Sequence, residues 1–188
     1  TGRLKLSLQL LSSRPLILGR IHGIPTWTGG GLHSPSPVPA VFMKTVNKSV
    51  LIWYSPEEMF ALVTDVAKYP QFLPWCDHAT VLERSDHGMK AEVGISLGGL
   101  HKSFVTRNTH EEGRRVKMEL VEGPFSKLDG DWHFHPVGDG SQRACKVELQ
   151  LHYGFDSKAL ATLVGPVFDR IAATFVDAFI KRAEQVYG

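Results

Sequence analysis

The sequence predicts an α+β fold in which a curved antiparallel sheet wraps around one long C-terminal helix. Three observations carry that expectation. Between Met89 and Phe155 apolar residues recur at every second position in one segment after another, the period of strands with one buried and one wet face. Short turn sequences, Gly98-Gly99 and the run Gly138-Asp139-Gly140-Ser141-Gln142 among them, join these segments as successive hairpins. From Ser157 to Tyr187 the period changes to that of a helix, with Leu160, Val164, Val167, Phe168, Ile171, Phe175, Ala178 and Phe179 on one side. Asp169, Arg170, Asp177, Lys181 and Glu184 suit the other side. Neither an internal repeat nor a second apolar cluster is evident, so the helix must cover the sheet.

The elements follow in order. Residues 1–42 stand apart: "GIPTWTGGGLHSPSPVPAVF" is rich in Gly, Pro and Ser without either periodicity and reads as a disordered extension. Upstream of it, "RLKLSLQLLSSRPLILGR" is basic and free of acids, as organellar transit peptides are, but it lacks the apolar core of a secretory signal. The compact domain is expected over residues 43–188. Thr45 to Tyr54 is β-branched and aromatic, a first strand. Ser55-Pro56-Glu57-Glu58 opens a helix, with Ser as N-cap, Pro at the first helical position and acids in the first turn. Pro70 and Pro74 end it within "DVAKYPQFLPWC". Strands then run through Met89–Leu97, "LHKSFVTRN", Val116–Leu120, Leu128–Phe134 and Val147–Phe155, and Gly123-Pro124-Phe125 makes the turn before Leu128. Gly165-Pro166 should break or kink the last helix near its beginning.

Composition excludes several function classes. No run of about 18 apolar residues is present to span a membrane. Cys76 and Cys145 are too few for a disulfide framework or an all-cysteine zinc site, and a reducing cytosol is expected. Residues 1–42 hold Arg3, Lys5, Arg14 and Arg20 and no acid, so the remainder carries 17 basic against 19 acidic residues. A slightly acidic body is not that of a dedicated nucleic-acid binder, and no DNA partner is expected. No paired catalytic acids, P-loop or dinucleotide fingerprint appears.

Candidate chemistry divides between the two faces of the sheet. On the apolar face Met118, Leu120, Leu128, Trp132, Leu149, Leu151 and Phe155 point one way, with Phe168, Ile171 and Phe175 of the helix above them; such a stripe either fills a core or lines a cavity. On the polar face of "LDGDWHFH", Asp129, Asp131, His133 and His135 alternate. His-x-His is a zinc-ligand spacing, yet a straight strand cannot wrap four ligands around one ion, and a solvated face is expected. Cys76-Asp77-His78 has the residue types of a thiol catalyst, but neighbours in the chain rarely form the required dyad. Lys102, Arg107, Arg114, Arg115 and Lys117 are the densest basic group, with Lys181 and Arg182 a second; both suit either phosphate contacts or an ordinary charged surface.

"YPQFLPWC", "KSFVTRN", "LVEGPFSKLDGDWHFHP", "GPVF" and "DAFIKRAEQVYG" resemble the coenzyme-Q-binding and ribosome-association-toxin family, a branch of the START-like, polyketide-cyclase-like superfamily. The resemblance covers Met43 to Gly188. It implies a helix-grip fold with an apolar cavity between sheet and C-terminal helix, and no required cofactor. It implies as ligand ubiquinone or a similar polyprenyl lipid, held without catalysis in support of respiration. Phe72, Trp75, Phe104 and Phe125 would join the apolar residues above as ligand contacts. The proline-rich turns carrying Tyr69, Phe72, Trp75 and Phe125 offer no regular element to hide their rings, so these rings either form a mouth that meets a membrane surface transiently or pack locally under a sheet edge. Each buried methylene contributes about 0.8 kcal/mol, so an isoprene tail suits such a slot. The same resemblance implies an alternative, binding of the large ribosomal subunit that blocks subunit joining, with the basic group as contact. A third option, polyketide cyclase-like catalysis, needs a polar group deep in the cavity, for which Arg107 or His101 would serve. Localisation is expected to be cytoplasmic, peripheral at the inner membrane, or mitochondrial if residues 1–42 are a transit peptide.

Overall fold

The computed structural model describes residues 42–155 and 157–188. The expectations for residues 1–41, disorder or a transit peptide, lie outside the described residues. Seven strands form one antiparallel sheet in the order β1-β7-β6-β5-β4-β3-β2: β1 Phe42–Ile52, β2 Cys76–Ser85, β3 Gly88–Leu97, β4 Leu100–Glu111, β5 Arg115–Glu122, β6 Lys127–Pro136 and β7 Cys145–Phe155. Helix α1 (Pro56–Thr64) and a short 3-10 helix (Val66–Gln71) follow β1, and α2 (Lys158–Tyr187) closes the chain.

Local chemistry explains most of these boundaries. Ser55 accepts from the Glu58 backbone N–H, and the Glu58 carboxylate accepts from the Ser55 backbone N–H, a complete capping box at the start of α1. Ser55→Ala is expected to cost about 1 kcal/mol of stability in a urea titration. Pro70 falls inside the 3-10 helix, where the chain turns towards β2 instead of continuing α1. Between β3 and β4, Gly98 and Gly99 have φ values of 61° and 81°, the left-handed pair that a two-residue hairpin turn requires.

Strand β2 is not predicted by the residue pattern. It is an edge strand, buried at Cys76 and exposed over most of its length, with only Ala79 and Val81 otherwise packed on the core. An edge strand that buries so little shows no clean alternation. Helix α2 also departs from expectation, running without a break through Gly165-Pro166. Gly165 lies against Phe155, and Val164 and Phe168 on either side are buried. That packing offsets a proline whose interior cost is about 3 kcal/mol.

The core lies between the inner face of the sheet and α2. Val164, Phe168, Ile171, Ala172, Val176, Phe179 and Ala183 form the buried stripe of the helix, and Phe134, Val147, Leu149, Leu151 and Tyr153 face it from β6 and β7. By length and composition alone α2 is apolar enough to cross a membrane, yet this stripe is covered by the sheet. Tyr153 donates to Asp169, which also pairs with Lys44 of β1, tying the first half of α2 to the sheet.

At the other end Arg143 forks onto Glu58, donates to the Tyr187 carbonyl and lies over the Tyr54 ring. The Arg143 hydrogen bonds hold the Glu58 carboxyl below its ordinary range against the opposing effect of burial, with the Ser55 N–H helping. A carboxyl with a depressed folded pKa stabilises above its unfolded pKa and loses that contribution as pH falls through the folded value. Arg143→Met is therefore expected to lower the urea midpoint at pH 7, and the difference from the parent should shrink as pH drops below the ordinary glutamate range.

Candidate functional site

Strand alternation and the α2 stripe leave a small apolar cavity between them, of about 50 Å³. Trp75, Phe104, Met118, Leu128, Leu151, Phe168, Ile171 and Phe175 lie on its wall, as the sequence anticipated, together with Val66, Tyr69, Ala91, Val93 and Ala172. The other anticipated contacts are elsewhere. Leu149, Trp132, Phe155 and Phe125 are buried in the surrounding core, and Leu120 and Phe72 pack against it partly buried. The volume matters more than the lining. Pockets for drug-sized ligands run to several hundred Å³, whereas this one has room for a few water-sized groups. The expected hollow for a polyprenyl tail is not open; sheet and helix nearly seal.

Of the two readings of the aromatic turns, an exposed mouth or local packing, the structure shows packing. Gly123 has a φ of 153°, and a Cβ there would stand 2.6 Å from Phe104 Cβ, so only glycine lets the turn approach β4 this closely. The turn folds Phe125 inward among Phe104, Phe155 and Phe168, with ring centroids 4.8 to 5.7 Å away. Tyr69 and Trp75 are buried as well, and Phe72 lies half-buried beneath the Arg182 guanidinium. Proline-rich turns had promised exposure because no regular element hides their rings, but the rings pack under the end of the sheet.

Polar groups do reach the cavity, and they are not the ones expected. Arg107 and His101 are exposed. The inner face of β4 instead presents Phe104, Thr106 and Asn108, paired in register with Val93, Ala91 and Met89 of β3. Thr106 and Asn108 are 4% and 6% exposed, the buried polar side chains of this core, and both line the cavity. Asn108 Oδ1 has no hydrogen-bond partner among the described residues. A register shift between Val105 and Thr106 against β5 sets this stretch at a bulge. Strand parity in "SFVTRN" held the signal for Thr106 and Asn108, but two polar residues at core positions read as noise until the register is known. Tyr69, the titratable group on the wall, donates to the Val63 carbonyl at 2.7 Å, and burial pushes its pKa well above the usual phenol range. Near neutral pH it stays a protonated phenol.

On the outer face the polar side chains of β6 pair with one another along the strand and with β7 across the sheet. His133 meets Asp131 at 3.2 Å, His135 meets Glu148 at 3.1 Å and His152 meets Asp129 at 3.0 Å. Among the described residues no three His, Cys, Asp or Glu side chains converge as a metal site would need. Burial, with the Asp77 charge, pushes the Cys76 thiol up to about 11, so it stays a thiol, and it donates to the His78 carbonyl.

The basic group does not form one dense patch. Lys102 sits near the β3–β4 turn and Arg114 in the β4–β5 turn, at opposite ends of β4, while Arg107 lies between them on the outer face. Arg115 forks onto Asp131, and Lys117 pairs with Glu119 at 2.9 Å. Lys102, Arg107 and Arg114 have no acidic partner among the described ion pairs. In the second group Arg182 is held by Gln71 and Phe72.

A sheet curled over a terminal helix, with a small apolar cavity beneath the helix, defines a START-like helix-grip domain. The chain belongs to the polyketide cyclase/dehydrase and lipid transport family, which it matches over residues 52–180. Among curated relatives, it is 45% identical over 146 residues to the ribosome association toxin RatA of Vibrio cholerae, covering 78% of this chain and 99% of that one. It is 27% identical to a mitochondrial coenzyme Q-binding protein, COQ10 homolog B of Xenopus laevis, covering 76% of this chain and 59% of the relative. Among solved structures, the Zhui aromatase/cyclase of Streptomyces sp. R1128 superposes with a TM-score of 0.67 at 14% identity, over 76% of this chain and 94% of that one. That last likeness shows the fold alone.

Proposed function

We propose that this protein is a non-catalytic interaction protein that binds the large ribosomal subunit and blocks subunit joining. The observation that carries the reading is the 45% identity to a ribosome association toxin across 99% of that relative's length. Nearly the whole helix-grip domain is shared, not one motif within it. The nearly sealed interior agrees, because such a role uses the outer surface and needs no large cavity. Expression followed by sucrose-gradient sedimentation tests it. The protein should travel with the large subunit while joined ribosomes fall; an unchanged profile with the protein at the top of the gradient would refute the reading.

A second reading, sequestration of a ubiquinone-like polyprenyl lipid, is favoured by the apolar wall between sheet and helix and by the coenzyme Q-binding relative. It requires α2 to move away from the sheet, since about 50 Å³ cannot take a prenyl chain. Native mass spectrometry after mixing with quinone-loaded vesicles checks it. A bound quinone supports it, and protein that remains empty removes it.

A further inference from the structure

We propose that Thr106 and Asn108 form the recognition end of a small-molecule site in the cavity, for a compact neutral ligand with an apolar body and one hydroxyl. This concerns the interior alone and holds whether or not the protein binds ribosomes. It begins with an anomaly of packing. Buried polar groups in folded proteins are nearly always hydrogen-bonded, yet Asn108 is 6% exposed and its Oδ1 has no partner among the described residues. A leucine of similar size would fill this place without stranding a polar atom. Thr106, two residues earlier on the same strand, faces the same way and is 4% exposed. The cavity thus has a hydroxyl and a carboxamide side by side on one wall and aromatic and aliphatic surface on the others.

The chemistry of the wall selects the ligand. Among the described residues no Lys, Arg, His, Asp or Glu lines the cavity, so a carboxylate or an amine entering it would lose its hydration without gaining a counter-charge. A neutral hydroxyl loses little, because it donates a hydrogen bond to the stranded Asn108 oxygen and accepts one from the Thr106 hydroxyl. Trp75, Phe168 and Phe175 offer aromatic surface to a ring. At about 50 Å³ the resting cavity takes a compact head, and the walls must yield for the rest. Met118 and Phe175 are only partly buried, and methionine is the most adaptable of core side chains, so they are the wall that gives way.

Phenol is the minimal probe. The full chain, labelled with nitrogen-15, is titrated with phenol, with benzene, which lacks the hydroxyl, and with benzoate, which carries a charge, while amide shifts are followed by NMR. Phenol is expected to give saturable shifts around Thr106, Asn108, Met118 and Ile171, binding at least tenfold more tightly than either analogue. Asn108→Leu, which fits the space, should raise the melting temperature and bring phenol down to the affinity of benzene. Thr106→Val, an independent isosteric change, should narrow the same preference without removing it. Absence of saturable shifts with phenol, equal binding of phenol and benzene, or a preference unchanged in Asn108→Leu would each overturn the proposal and leave the pair as a hydrated flaw in the core.

Discussion

Trp132→Ala is expected to cost about 3 to 5 kcal/mol, a large part of the 5–15 kcal/mol that usually holds a domain together. Trp132 is fully buried on β6 and meets Phe134, Phe175 and Phe179, with ring centroids 5.3 to 6.3 Å away. Phe179 in turn packs on Tyr69 and Phe72, so the indole joins the sheet, α2 and the segment after α1 in one aromatic cluster. Removing it leaves a void among rings held by three different elements, which cannot all collapse into it. A urea titration followed by far-UV circular dichroism measures the loss. Trp132→Phe separates two contributions. The indole Nε1 has no hydrogen-bond partner among the described residues, so phenylalanine loses volume but relieves a stranded donor. Its cost should be less than half that of alanine, and an equal cost would show that the indole N–H is satisfied in solution.

The elements that bury a full face were legible in the sequence, because periodicity records burial. Leu149 and Leu151 of β7 and the Val164–Phe168–Ile171 stripe of α2 face each other as their spacing required. Strand β2 was not legible, since an edge strand buries too few residues to leave a period. Pro166 misled for a related reason: its local cost is visible in the sequence, but the packing of Val164 and Phe168 that offsets it is not. The same asymmetry governs the site. Alternation told which residues face inward, including Met118, Leu128 and Leu151, but not how tightly they meet those opposite. A cavity volume is a small difference between large packed volumes, so the nearly closed interior was invisible in the residue pattern. Asn108 was missed because polarity at a core position signifies only once the register is fixed.

For the proposed ribosome-binding role, charge reversal along β4 is expected to give the largest effect. Lys102, Arg107 and Arg114 are exposed and free of acidic partners among the described ion pairs, whereas Arg115 and Lys117 are engaged with Asp131 and Glu119. Nine strand residues separate Lys102 from the end of β4, a span of about 30 Å at 3.3 Å per residue. Strand parity sets Lys102 with Phe104 and Thr106 and Arg107 on the opposite face, so the three mark the outer face and both ends of β4 and do not form one row. Such a spread does not suit a small anion and calls for a large, phosphate-rich partner of the kind proposed. Binding through phosphates releases counterions, and every cation taken away from such an interface flattens the salt dependence by roughly one unit of slope. The triple variant Lys102→Glu/Arg107→Glu/Arg114→Glu should therefore lose on the order of a hundredfold in large-subunit affinity at low salt, with a shallower salt dependence and an unchanged melting temperature. The parallel variant Arg115→Gln/Lys117→Gln, which removes cations already neutralised by neighbouring carboxylates, should bind nearly as the parent does. Were the two variants to behave alike, β4 and its flanking turns would not be the docking region, and Lys181 and Arg182 on α2 would be the next surface to reverse.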